Sequence, residues 1–125
     1  LIHLDTSFLI RALVRDSRED ERLRAFLGAG ESLAMSTVAW AEFLCGPVEA
    51  PLLELVGQIV TRLVPFGEDT AALAADLFNQ TGRRRGSLAD CMIAATAIRA
   101  KATLATHNPV DFRRFQAAGL ELARP

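Results

Sequence analysis

Four acidic residues stand out by where they sit in this 125-residue chain. Asp90 is the only charge between Leu88 and Ile98, where nearly every residue is apolar or small. Glu42 is likewise the only charge in the run Val38 to Cys45. Asp5 follows the apolar Leu1 to Leu4 segment, and Asp111 follows the turn Thr106-His107-Asn108-Pro109. A carboxylate in apolar surroundings is costly to desolvate, so each must be neutralised, paired or bound to a cation. Gathered in one crevice, four carboxylates repel and raise one another's pKa, and a divalent cation removes the conflict. The donors are all oxygens, with Thr6 or Asn108 as helpers, and hard oxygen sets favour Mg2+ or Mn2+ over Zn2+. Ions held in this way suit phosphodiester hydrolysis, because they lower the pKa of an attacking water and stabilise the leaving oxygen. His3, in a strand, and His107, in a turn, have no paired nucleophile, and no glycine-rich phosphate loop is present.

The acids meet only if the elements between them bring them to one edge. Leu1 to Leu4 reads as a buried strand, and Asp5-Thr6-Ser7 opens a helix through Leu13. Taken alone, Asp5 reads as that helix's N-cap. Arg15 to Arg22 reads as a charged, solvated segment leading into a helix that ends near Gly28 to Gly30. Ser32 to Met35 is a second strand, and Ser36-Thr37 caps a helix over Val38 to Cys45 closed by Gly46-Pro47. Pro51 to Arg62 is an amphipathic helix, Leu63 to Phe66 a third strand with Pro65 marking an edge, and Glu68 to Gln80 another helix. Ser87 caps the buried helix that carries Asp90 in its first turn, where the helix dipole favours a negative charge. Ala102 to Ala105 is the fourth strand, Phe112 to Ala118 a helix stopped by Gly119, and Leu120 to Leu122 the fifth strand. Alternating strands and helices predict an α/β, three-layer α/β/α sandwich with a mostly parallel sheet. Sites on such sheets lie beyond the carboxyl ends of the strands. Asp5, Asp90 and Asp111 fall on that side, with Glu42 about 9 Å into its helix.

Length and composition point to one soluble globular domain over residues 1–125, half of it hydrophobic, with a formal charge of −1. That charge argues against binding polyanions through a global positive field, so any such contact needs a local patch. Thr81-Gly82-Arg83-Arg84-Arg85-Gly86, just before the helix of Asp90, reads either as a solvated loop or as that patch. Cys45 and Cys91 read as two buried reduced thiols. With no secretory segment and no apolar run of about 18 residues, the expected location is cytoplasmic.

At these residues the chain resembles the PIN-domain family, most closely the VapC-type toxins of bacterial toxin–antitoxin pairs. The resemblance rests on hydrophobic-Asp5-Thr6-Ser7, on Ser36 to Phe43 with Gly46 after it, on Arg85 to Ala97, and on Leu104 to Phe112, in that order and spacing. It implies a five-stranded parallel sheet and Mg2+- or Mn2+-dependent endoribonuclease activity, with Asp5, Glu42, Asp90 and Asp111 as the metal-site carboxylates. It also implies a homodimer, and an antitoxin whose C-terminal part packs in an apolar groove and sets a basic side chain near the acids. On this reading Asp5 and Asp90 hold the main ion, Asp111 completes its shell, and Glu42 positions the ion or the attacking water. Thr6 or Asn108 then orients the scissile phosphate, and Arg83, Arg84, Arg85, Arg113 and Arg114 are candidates for RNA backbone contacts. Some relatives carry a further acid where Asn108 stands, which leaves one or two ions open.

Other readings are a PIN-like RNA-binding or RNA-processing domain outside any toxin pair, and a phosphoacceptor regulatory domain. The second would need an acidic pair after the first strand and a Lys ending a late strand, whereas Lys101 precedes the fourth.

Overall fold

The structure, a computed structural model, describes residues 1–124. Five short strands alternate with helices: β1 (Ile2–Leu4), α1 (Thr6–Ala12), α2 (Arg18–Gly28), β2 (Leu33–Ser36), α3 (Thr37–Leu44), α4 (Ala50–Ile59), β3 (Arg62–Val64), α5 (Glu68–Gln80), α6 (Leu88–Arg99), β4 (Thr103–Ala105), α7 (Pro109–Phe112) and β5 (Glu121–Leu122), with a 3-10 turn over Arg113–Ala118 before the last strand. All strand pairs are parallel and the order is β3-β2-β1-β4-β5. The chain therefore walks outward from β1 to β3, then crosses back to lay β4 on the other side of β1. Right-handed crossovers put α1 to α4 on one face of the sheet and α5 to α7 on the other. The direction reverses between β1 and β4, and that switch point is where a parallel sheet opens a crevice.

β1 and β2 are buried along their whole length, whereas β3 is a partly exposed edge. The core is built on Phe8 and Leu9 of α1, Phe43 of α3, and Phe112 and Phe115 beyond β4. Each such phenylalanine contributes about 2–3 kcal/mol by leaving water. These anchors hold α1, α3 and α7 against the sheet.

Several local expectations are corrected. α2 begins at Arg18, inside the stretch read as solvated, because the Ser17 hydroxyl caps it by accepting from the Asp20 N–H at 3.0 Å. Its first turn then turns inward, and Glu19 and Asp20 are buried. α4 ends at Ile59 and β3 begins at Arg62, earlier than Leu63. β-branched Val60 leaves the helix for an extended conformation, and the Thr61 N–H donates to the Leu33 carbonyl at 3.1 Å, so pairing with β2 starts sooner. Cys45 is exposed, since α3 turns its last residues to solvent after Phe43, while Cys91 is buried as expected. The segment after β4 is one α turn followed by a 3-10 turn, and Gly119 ends it with φ of 107°.

Candidate active site at the switch point

Asp5 occupies the N-cap position of α1 yet its side chain caps nothing. Its carboxylate instead closes the gap between β1 and β4. Oδ2 accepts from the Ser7 hydroxyl at 2.7 Å and from the Thr106 hydroxyl at 2.8 Å. The His107 N–H in turn donates to Ser7 Oγ at 3.1 Å, and the Asn108 N–H donates to Thr106 Oγ1 at 3.0 Å. The Asp5 N–H donates to the Ala105 carbonyl at 2.9 Å, which locks the same junction from the backbone side. Two N–H groups thus feed two hydroxyls that feed one carboxylate oxygen, an arrangement in which each bond polarises the next. Asp5 is 5% exposed.

Asp90 is differently placed. Ser87 stands at the N-cap position of α6 but lies in a helical conformation, and its hydroxyl donates to the Arg84 carbonyl at 2.7 Å instead of capping. Asp90, in the first turn, is half-buried, and its pKa is pushed up to about 6. Loss of water is the largest cause, followed by the charge of Asp5; Arg114 pulls the other way, and Asp111 and Glu42 push further up. The other three predicted acids therefore lie close enough to act on Asp90. Glu42 sits at the exposed rim; loss of water around its carboxylate raises its pKa, the Thr6 hydrogen bond lowers it, and Asp5 raises it again. The Thr6 hydroxyl lies 2.8 Å from the Ala39 carbonyl and 3.2 Å from Glu42 Oε1, tying α1 to α3. Asp111 lies in the first turn of α7 with its N–H on the Asn108 carbonyl at 3.0 Å. Asn108 is exposed at the N-cap position and its side chain makes no cap bond.

As they stand, no three His, Cys, Asp or Glu side chains among the described residues form a ready ligand set. What fits a hard divalent cation is the chemistry: oxygen donors only, and a carboxyl whose pKa is raised first by burial and then by its acidic neighbours.

The predicted basic residues divide. Arg84 and Arg85 are exposed in the loop, Arg113 is exposed after α7, and Arg83 is exposed while stacking over Phe78 and bonding to Asn79. Arg114 is turned inward, its side chain 16% exposed, with Nη2 3.9 Å from Asp90 Oδ2. On the outer side of α1, α2 and α4 lies an apolar groove of about 500 Å3, lined by Leu13, Leu23, Leu27, Leu52, Leu55 and Ile59.

Sequence reasoning missed the partners of Asp5. Ser7 and Thr106 carry hydroxyls just beyond β1 and β4, strands whose pairing is seen only in the fold; the Asp5-Thr6-Ser7 spacing was the one local signal, and it pointed only to Ser7. It also missed Glu19, 6% exposed, which takes a 3.1 Å contact from His107 Nδ1 and lies 3.7 Å from Arg11. Burial alone would raise the Glu19 pKa, but the His107 hydrogen bond, its own backbone and the nearby cations hold it below the usual value. No pattern in the sequence links residues 19 and 107.

A parallel sheet in the order 3-2-1-4-5, with acids around its switch point, defines an α/β fold of the PIN type. A sequence profile of the PIN domain matches residues 2–118, and the chain belongs to that family. Among solved structures, it is similar to a chain of FitAcB from Neisseria gonorrhoeae, at 26% identity over 100% of this chain and 98% of the other, with a TM-score of 0.72. It is similar in fold to VapBC-1 from nontypeable Haemophilus influenzae, at 24% identity over 98% and 97% of the two chains, with a TM-score of 0.76. The same holds for VapC20 of Mycobacterium tuberculosis, a Sarcin-Ricin loop cleaving toxin, at 16% identity over the whole of both chains, with a TM-score of 0.68. No protein of curated function gives a significant match.

Proposed function

We propose that this chain is a Mg2+- or Mn2+-dependent endoribonuclease and the toxin of a type II toxin–antitoxin pair. The observation that carries the reading is Asp90, a half-buried carboxyl raised to about 6 by burial and by three other acids, at the switch point of a PIN fold. A divalent ion held by Asp5 and Asp90, with Asp111 and Glu42 completing its surroundings, would lower the pKa of an attacking water and stabilise charge on the leaving oxygen. Ser7 and Thr106 keep the Asp5 carboxylate from swinging. Glu42, at the open rim, orients the attacking water and takes up its proton. Thr6 steadies Glu42, and the Asn108 amide donates to the scissile phosphate. Arg83, Arg84, Arg85 and Arg113 lie along the exposed side and position the RNA backbone. A splayed single strand suits such a recessed acidic site better than a duplex does.

The partner reading rests on the groove between α1, α2 and α4. Its leucines are of the kind that the apolar face of a partner helix covers, and the solved relatives include toxin–antitoxin complexes. We infer an antitoxin segment there, and a homodimeric toxin. No helix of the described residues is long and apolar enough to cross a membrane.

Purified protein incubated with total RNA and Mg2+, Mn2+ or chelator, with the cut ends mapped, tests the activity. Defined cuts that need the metal and vanish on chelation support it; undiminished cutting in chelator contradicts it. Growth arrest on expression, relieved by a neighbouring small gene product, separates a toxin from a PIN nuclease of another kind.

A further inference from the structure

Arg114 lies three residues after Asp111, just past α7 in the 3-10 turn. Its guanidinium stacks on the Phe115 ring, with Cζ 4.6 Å from the centroid. Its Nε is buried and has no hydrogen-bond partner among the described residues. By contrast, Arg24 on α2 makes an ordinary 3.1 Å bond from its Nε to Asp20. Withdrawing a guanidinium from water and orphaning one of its N–H groups is costly, so something must offset this pose. What its charge faces is Asp90, 3.9 Å away, with Asp5, Asp111 and Glu42 acting on the same carboxyl. That separation is beyond hydrogen-bond length. The contact balances charge while leaving the oxygen lone pairs of Asp90 open.

We propose that Arg114 is the resident counter-ion of the acid cluster, a positioning residue that balances Asp90 in the cation-free protein and weakens cation binding by competing for the same carboxylate. This rests on the cation reading above. It assigns Arg114 to the interior of the site and removes it from the RNA-binding surface. It also gives the protein one fixed positive charge where a second divalent ion would otherwise be called for.

The test uses the full chain in two measurements. Mn2+ is titrated calorimetrically into wild type, Arg114→Gln and Arg114→Lys. Arg114→Met, which keeps the packing on Phe115 without the charge, is added so that the result does not depend on one variant folding. The neutral variants should bind Mn2+ about tenfold more tightly, because a like charge close to the ion has gone, and Arg114→Lys should stay near wild type. In the metal-free protein, a double-mutant cycle of Asp90→Asn with Arg114→Met should be non-additive in thermal stability. Unchanged or weaker Mn2+ binding in folded neutral variants, or an additive cycle, overturns the proposal. If wild type binds no Mn2+, the cation reading fails by itself, and the metal-free cycle alone decides whether Arg114 balances Asp90.

Discussion

The two halves of the switch-point site are built on opposite plans. On the strand side, Asp5 is almost wholly buried and its Oδ2 is saturated by two hydroxyls that are themselves fixed by backbone N–H groups. On the helix side, Asp90 is half-open, its pKa is raised to about 6, and its cationic neighbour stands off at 3.9 Å. The first half is satisfied within the protein; the second is left short of positive charge. The contrast teaches that a site can be rigid in one member and receptive in another. Asp5 supplies a fixed reference, and Asp90 supplies the unmet demand that, on the proposed reading, a divalent ion would answer.

Removing the receptive half should have the largest effect. Asp90→Asn is expected to lower Mg2+-dependent RNA cleavage by roughly 1,000-fold or more, with the fold kept, measured as initial rates on a mapped RNA substrate. Near-wild-type rates in that variant would break the contrast outright.

Acidification sharpens it in the metal-free protein. Asp90 has a folded pKa above its unfolded value, so its repulsion costs stability at neutral pH and is relieved as pH falls through about 6. His3, buried within β1, behaves oppositely. Burial first, then the charges of Arg62 and the N-terminal ammonium, lower its pKa to about 4. The unfolded chain takes up this proton from about pH 6.5 downward while the folded chain resists. Its contribution, up to about 3 kcal/mol, is present above pH 6.5 and lost between there and pH 4. Urea melts from pH 7.5 to 4.5 should show Asp90→Asn losing stability more steeply on acidification than wild type, and His3→Gln losing it less steeply. Parallel curves for all three would contradict both assignments.

The satisfied half can be weakened as well. Thr106→Val strands the Asn108 N–H and removes one bond from Asp5, an expected loss of about 1–2 kcal/mol in denaturant melts. The smallest effect is at the rim. Arg84→Ala and Arg85→Ala should each weaken RNA binding a few-fold and lower the slope of binding against log salt by about 0.7, with Mn2+ affinity unchanged. An unaltered slope would take the loop off the RNA surface.

The parallel α/β architecture and the edge at which the acids gather were legible because strand and helix periods alternate cleanly and the acids interrupt apolar runs, whereas the strand order β3-β2-β1-β4-β5 left no local signal. Ser36 does cap α3, accepting from the Ala39 N–H at 3.0 Å, as its position before Val38 suggests. What escaped reading depends on distance in the chain. Asp5 resembles a cap locally, and its carboxylate is drawn elsewhere by Ser7 together with Thr106, which lies 101 residues away. Arg114 resembles any surface arginine, and its inward turn depends on Phe115 and Asp90 meeting around it. Glu19 sits in a charged run whose polarity hides that His107 buries it. Tertiary partners outvoted local propensity at each of these positions.

The most direct trial of the central claim is a crystal of the full chain soaked in Mn2+ and measured at a wavelength where manganese scatters anomalously. The account predicts a single strong peak bridging Asp5 and Asp90, absent from crystals of Asp90→Asn. A map with no peak there, or with manganese bound only on another face, would contradict it.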